Sequence, residues 1–157
     1  MEIEFRAKAI ANYSEMNIKA GDWVYGYVQF STDNGEITAW MMITNEKGKY
    51  QLKVDPKTVC QYTNCKDKHG NKIYYHDFVR KRVRNNPKGV VCIVAFRKGG
   101  FYATEQTCDD DSYTLKDSQI EVLGNMFDNP NLLCPKLSMA RRENNVNDYW
   151  VNAPYDN

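Results

Sequence analysis

The chain has 157 residues and a mass of 18.3 kDa, with 42% hydrophobic, 26% charged and 13% aromatic residues. This length fits one domain or two small lobes that share a core, and the balanced composition excludes a chain that is disordered throughout. The net charge is +1 and the mean hydropathy is −0.69, and no apolar run approaches the ~20 residues that a membrane span requires.

The first part of the chain, residues 1–54, has the pattern of a β-meander. Its strands alternate with a period of two or are rich in aromatic and β-branched residues, which suit a pleated sheet. Asp33-Asn34-Gly35 supplies residues that tolerate positive φ and predicts a hairpin turn. The strands expected in this lobe are residues 2–7, 23–30, 36–43 and 50–54.

A link over residues 55–69 is expected to lead into a second lobe over residues 70–126. Pro56 predicts one short helical turn in the link, and the polar run 67–71 predicts a turn. Short strands separated by turn residues favour a small SH3-like barrel for the second lobe. The strands expected there are residues 77–83, 90–96, 101–104 and 120–125. The predicted fold class is therefore mostly β, with an N-terminal meander lobe, a small SH3-like barrel lobe and little helix.

Three blocks of this sequence resemble YopX-type phage proteins. The blocks are Phe5-Arg6-Ala7 with Trp23-Val24-Tyr25-Gly26, the stretch from Val54 to Val79, and Val122 to Leu133. The resemblance implies a mostly β fold, a phage or prophage origin and residence in the bacterial cytoplasm, and it carries over no enzymatic activity. We expect one YopX-like domain over residues 1–133, followed by a loosely ordered tail over 134–157.

Charge is distributed unevenly along the chain. Residues 1–65 carry seven basic and eight acidic side chains, residues 66–100 carry ten and two, and residues 101–157 carry four and ten. Such a chain can pair its basic middle with its acidic end, or it can present a basic face to an anionic ligand.

A basic strand is the main candidate for nucleic-acid binding. In an extended strand Arg80, Arg82 and Arg84 share one face, whereas Lys81 falls on the other. The row could track phosphates, or it could be a solvated edge strand, or it could pair with the acidic C-terminal segment. The residues proposed for nucleic-acid binding are Arg80, Lys81, Arg82, Arg84 and Lys88. The aromatic residues expected to flank them are Tyr74, Tyr75, Phe101 and Tyr102.

Four residues, Cys60, Cys65, His69 and His76, have the types of a zinc site. Four residues separate the two cysteines, which fits zinc ligands, but six separate the histidines. In the resembling family glycine tends to stand at both cysteine positions, so these residues are weak metal candidates. The five cysteines are an odd number without a secretory signal before them, which indicates reduced thiols.

No pattern of catalytic residues emerges from the sequence. It has no nucleophile elbow and no glycine-rich phosphate loop. We therefore expect no enzymatic activity, no metal and no cofactor.

Aromatic residues are numerous, at 3 Trp, 11 Tyr and 6 Phe. A mostly β protein of this size has little interior, so several rings are expected at the surface, where they favour protein contacts. The sequence therefore predicts an accessory protein that acts as a binding module for a protein partner or for itself, with no membrane partner. The alternative is a nucleic-acid-binding β-barrel protein that uses the basic strand.

Overall fold

The computed structural model describes residues 2–83, 86–106, 111–116 and 119–133. Across these ranges the chain forms eleven strands in two antiparallel sheets and three 3₁₀ turns, which confirms the mostly β prediction. No helix in the described ranges is long and apolar enough to cross a membrane. The strands are β1 (Phe5–Lys8), β2 (Trp23–Asp33), β3 (Glu36–Asn45), β4 (Gly48–Val54), β5 (Cys60–Lys66), β6 (Lys72–Tyr74), β7 (Asp77–Val83), β8 (Asn86–Arg97), β9 (Gly100–Glu105), β10 (Ser112–Thr114) and β11 (Ile120–Asn125). The 3₁₀ turns are Ser14–Met16, Pro56–Thr58 and Pro130–Leu132.

The first sheet has the strand order β4-β3-β2-β1-β5-β6. Its β2–β3 hairpin turns at Asn34 and Gly35, whose φ angles of 49° and 84° confirm the predicted turn. Just after β1, Ala9 pairs with Val54 at the end of β4, so the meander curves back onto its own first strand. The core inside this curve comprises Ala7, Ala9, Val24, Ala39, Met41, Leu52 and Val54.

The segment expected to link the lobes is only partly a link. Pro56–Thr58 forms the predicted short turn, and the Asp55 carboxylate accepts a hydrogen bond of 2.9 Å from the Lys57 amide. Cys60–Lys66, however, forms β5, which pairs with β1, and β6 pairs with β5. The first sheet therefore extends to Tyr74, and the buried rings of Tyr62 in β5 and Tyr74 in β6 contact each other.

The second sheet has the strand order β10-β9-β8-β7-β11. Four strands form a meander and the fifth returns beside the first, which is the strand order of an SH3-like barrel. The apolar run in β8 lies at the centre of this sheet, and Cys92–Ala95 are all buried, as the run predicted. The tail over 134–157 lies outside the described residues.

The two lobes meet at a buried ion pair between Arg6 of β1 and Asp77 of β7. The Arg6 guanidinium also contacts two aromatic rings, with its Cζ 4.6 Å from the centroids of Trp23 and Tyr74. The second oxygen of Asp77 accepts a hydrogen bond of 2.8 Å from the Tyr74 amide. Burial raises the pKa of Asp77 to about 6, although Arg6 and the Tyr74 amide both favour its charged form.

A second contact between the lobes is centred on Asp128, after β11. Its carboxylate pairs with Lys8 and accepts hydrogen bonds from Trp23 Nε1 at 2.6 Å and from Asn125 Nδ2 at 3.0 Å. Partial burial raises the pKa of Asp128, but these hydrogen bonds outweigh it and lower the pKa to about 2. The junction is therefore polar and specific, with its charges fixed by partners from both lobes.

Candidate functional site

The basic strand predicted from the sequence is β7. Arg80 and Arg82 lie on its exposed face, whereas Lys81 is buried, with 8% of its surface exposed. The alternation expected for this strand is therefore present, and Lys81 does not share the surface of the two arginines. Arg84 lies outside the described residues.

Arg80 and Arg82 form one wall of a cleft of about 280 Å³, called here the basic cleft. Other elements complete it, since Lys88 comes from β8 and Glu121 from β11. Lys68, which sequence reasoning did not assign to the site, also lines the cleft. The described lining residues are Lys68, Arg80, Arg82, Pro87, Lys88, Gln119 and Glu121.

The β5–β6 turn carries Lys68 to the cleft. The Lys68 amide donates a hydrogen bond of 2.9 Å to the Ile120 carbonyl, and the Val122 amide donates one of 3.1 Å to the Asp67 carboxylate. These two bonds fix the turn against β11. Only the folded chain places Lys68 beside Arg80, because no local pattern in the sequence links the two residues.

Glu121 is the acidic residue of the basic cleft. Its carboxylate lies 2.9 Å from Lys68 Nζ, 3.4 Å from Arg80 Nη1 and 3.5 Å from His69 Nε2. The hydrogen bond from Lys68 lowers the pKa of Glu121, which holds it in the charged form. One acidic residue of the C-terminal third therefore does pair with the basic row, yet Arg80 retains 46% side-chain exposure.

The aromatic residues expected to flank the basic row lie elsewhere. Tyr74 is buried at the lobe junction, with 4% of its surface exposed. Phe101 and Tyr102 pair with Phe96 and Ala95 of β8, and Tyr75 contacts Phe101, with 6.1 Å between the ring centroids. Arg80 pairs with Val91, four residues before Ala95 on the same strand. At roughly 3.4 Å per residue, these rings lie well away from the basic cleft and do not form a stacking platform for it.

The four weak metal candidates do not come together in the structure. Cys60 is buried near Tyr74, and burial raises the pKa of its thiol to about 12. Cys65 packs instead against the core of the second sheet, and His69 is largely exposed. His76 stacks on the neighbouring ring of Tyr75. Among the described residues no three His, Cys, Asp or Glu side chains are placed to hold a metal ion.

An aromatic surface on the first sheet stands out from the structure. Tyr25 and Tyr27 of β2 are 48% and 64% exposed and lie on the face opposite the core. Met42 pairs directly with Tyr27, and Trp40 lies two residues before Met42 on the same face of β3. We call these four residues the aromatic shelf. Sequence reasoning predicted exposed rings but could not say which ones would share a face.

The aromatic shelf adjoins the lobe junction at one end. Tyr25 contacts Tyr74 at the lobe junction, with 6.0 Å between the ring centroids. On the other side Lys53 of β4 pairs with Trp40 and places its Nζ 6.0 Å from the centroid of that ring. The shelf therefore has a wall at one end and a basic margin at the other.

Comparison with known proteins gives a family match. The family model described as YopX protein matches residues 13–134, which is well over half of the chain. The block Phe5-Arg6-Ala7 lies before the matched range. The crystal structure of protein EF1440 from Enterococcus faecalis is similar at 18% sequence identity and a TM-score of 0.48, over 85% of this chain and 99% of that one. A search of curated proteins finds no significant match.

Proposed function

The chain belongs to the YopX family, and from that premise we propose that it is a phage- or prophage-encoded accessory protein, a non-catalytic binding module that engages a protein partner through the aromatic shelf. The observation that carries this proposal is the exposure of Tyr25 and Tyr27, at 48% and 64%, beside Trp40 and Met42. Tyr, Trp and Met are enriched in the buried centres of protein interfaces.

The shelf has the physical properties of an energetic hot spot. Its tyrosines lie on a sheet whose opposite face is packed in the core, so the backbone that carries them is already ordered. Tyrosine also loses little side-chain entropy on binding, because it has only two torsions. A central aromatic residue of this kind typically contributes about 2 kcal/mol or more to the binding free energy.

The charges beside the shelf indicate which kind of protein would bind there. Lys49 and Lys53 lie along β4 on the same outer face. The outer-face positions from Trp23 to Ser31 in β2 and from Thr38 to Thr44 in β3 are uncharged, and the outer-face residue Glu36 stands at the β2–β3 turn, four residues from Trp40. A second copy of the chain, bound shelf to shelf and centred on Tyr27, would therefore place uncharged or basic positions opposite these lysines. The occupant is a different protein that presents apolar side chains with acidic residues at their edge.

Selection from a library of short random peptides tests this proposal. Peptides selected on the wild-type protein should carry an apolar anchor with flanking Asp or Glu. Their affinity for Tyr27→Ala should fall at least about tenfold, or about 1.4 kcal/mol. The matched control is Phe30→Ala, since Phe30 is 53% exposed on the opposite face of the same strand.

Two results would overturn the proposal. One is that the selected peptides bind the double variant Tyr25→Ala/Tyr27→Ala as tightly as the wild type. The other is self-association in sedimentation experiments that Tyr27→Ala abolishes, which would make a second copy the occupant of the shelf.

A further inference from the structure

The basic cleft lies on the second sheet and is separate from the aromatic shelf. Among its described lining residues are four cations from three parts of the chain and one carboxylate. We propose that this cleft binds the phosphodiester backbone of nucleic acid. The inference does not depend on the proposed protein partner, because the two surfaces share no residue.

The spacing of the arginines suits consecutive phosphates. Arg80 and Arg82 are two residues apart on the exposed face of β7, which places them about 6.7 Å apart along the strand. That separation is comparable with the distance between neighbouring phosphates of a nucleic-acid strand. The planar guanidinium fork also binds phosphate oxygens in pairs, which a lysine cannot do.

Lys68 and Lys88 extend the row to either side of the arginines. Lys68 reaches the cleft from the β5–β6 turn and Lys88 from β8, and both residues are exposed. Charges on three parts of the chain therefore follow a path across the sheet. The described lining residues include no aromatic ring, so the cleft is suited to contacts with the backbone, without stacking on bases.

Glu121 opposes polyanion binding at this site. It pairs with Lys68 at 2.9 Å and with Arg80 at 3.4 Å, so its carboxylate occupies one donor of each cation and adds a negative charge beside any bound phosphate. Glu121 therefore lowers the affinity of the cleft for polyanions. Removing its charge should strengthen binding, which is the opposite of what removing an arginine does.

Fluorescence anisotropy with labelled duplex DNA, single-stranded DNA and RNA tests the site. Engagement of about three to four phosphates predicts a slope of about −3 in log K against log salt for duplex DNA, with similar affinity for unrelated sequences. Arg80→Gln/Arg82→Gln should flatten that slope by about two. The control Lys47→Gln/Lys57→Gln removes the same charge from two exposed lysines of the first lobe and should leave the slope unchanged.

The variant Glu121→Gln should change the affinity for nucleic acid in the direction opposite to the arginine variants. It should tighten binding about fivefold, since one repulsive charge a few ångströms from a phosphate is worth roughly this factor in water. The site is overturned if none of the three nucleic acids binds at about 50 mM salt. It is equally overturned if binding survives loss of both arginines, or if Glu121→Gln binds no more tightly than the wild type.

Discussion

Arg6 is a buried cation whose surroundings come from both lobes. Its guanidinium pairs with Asp77 and lies 4.6 Å from the ring centroids of Trp23 and Tyr74. Replacing Asp77 with alanine leaves the cation buried without its counter-ion. We expect Asp77→Ala to lower the free energy of unfolding in urea by about 3–5 kcal/mol.

The double variant Arg6→Met/Asp77→Ala separates lost charge pairing from lost packing. Both variants deprive the Tyr74 amide of its acceptor, but only the single variant keeps an unpaired buried charge. The double variant should therefore be more stable than Asp77→Ala, because apolar replacement of a buried ion pair is often nearly neutral. A double variant as unstable as the single one, or less stable, would contradict this role for the pair.

Asp128 makes a pH-dependent contribution to stability. Its pKa of about 2 in the folded protein lies below the ordinary value of 3.8. A carboxyl group with a lowered folded pKa stabilises the protein above its unfolded pKa and loses that contribution as pH falls toward the folded one. Since the side chain is 38% exposed, solvent screening limits the effect to about 1 kcal/mol.

Asp128→Asn is the variant that isolates this contribution. The wild type should exceed it in free energy of unfolding above about pH 4, and the difference should shrink toward about pH 2. Urea unfolding at a series of pH values measures it. A difference that stays constant over this range would mean that the Lys8 and Trp23 contacts do not stabilise the charged carboxylate.

Strand β2 changes partners at Gly26. Gly26 pairs with Phe5 of β1, while the next residue, Tyr27, already pairs with Met42 of β3. A Cβ atom at Gly26 would lie 2.3 Å from the Met42 carbonyl oxygen, closer than any real contact. The corner of the first lobe therefore needs a residue without a side chain at this position.

Gly26→Ala should force β2 and β3 apart and cost about 1–3 kcal/mol of unfolding free energy, the usual range for overpacking. The control Gln29→Ala changes an exposed residue of the same strand and should stay within about 0.5 kcal/mol of the wild type. Urea unfolding of both variants provides the comparison. If Gly26→Ala is as stable as the control, β2 can change partners here without the close contact between residue 26 and the Met42 carbonyl oxygen.

The elements that the sequence predicted well are those with local signals. Asn34-Gly35 alone is enough to predict a tight hairpin, and the apolar run of β8 is enough to predict a strand buried on both faces. Strand β5 was missed because its partner, β1, is more than fifty residues away and the preceding Pro56 indicates a link. The pairing that makes it a strand is a tertiary property.

The candidate surfaces, too, could be predicted from the sequence only where the signal is local. The period of two in β7 placed Arg80 and Arg82 together, since alternation is local. Lys68 and Glu121 join them only because the β5–β6 turn packs on β11. Likewise, composition predicted exposed aromatic rings, but the register of β2 against β3 decides that Tyr27 and Met42 share a face.

At the scale of the whole molecule, the two lobes carry surfaces of different chemistry. The first sheet presents aromatic rings with a basic margin, and the second sheet presents four cations with one carboxylate. The ion pair between Arg6 and Asp77 holds the lobes together at the wall of the aromatic shelf. The two proposals together predict that one protein engages a protein partner and a polyanion at the same time.

The proposed function requires that the aromatic shelf bind a protein other than the chain itself. Photo-crosslinking in the cell that carries the gene tests this requirement, with p-benzoylphenylalanine in place of Tyr27 and, as the control, in place of Phe30. We predict one heterologous adduct at position 27 and none at position 30, and the purified adduct partner should bind Tyr27→Ala at least about tenfold more weakly than the wild type. Equal adducts at both positions, an adduct only with the chain itself, or a partner that binds Tyr27→Ala undiminished would contradict the claim.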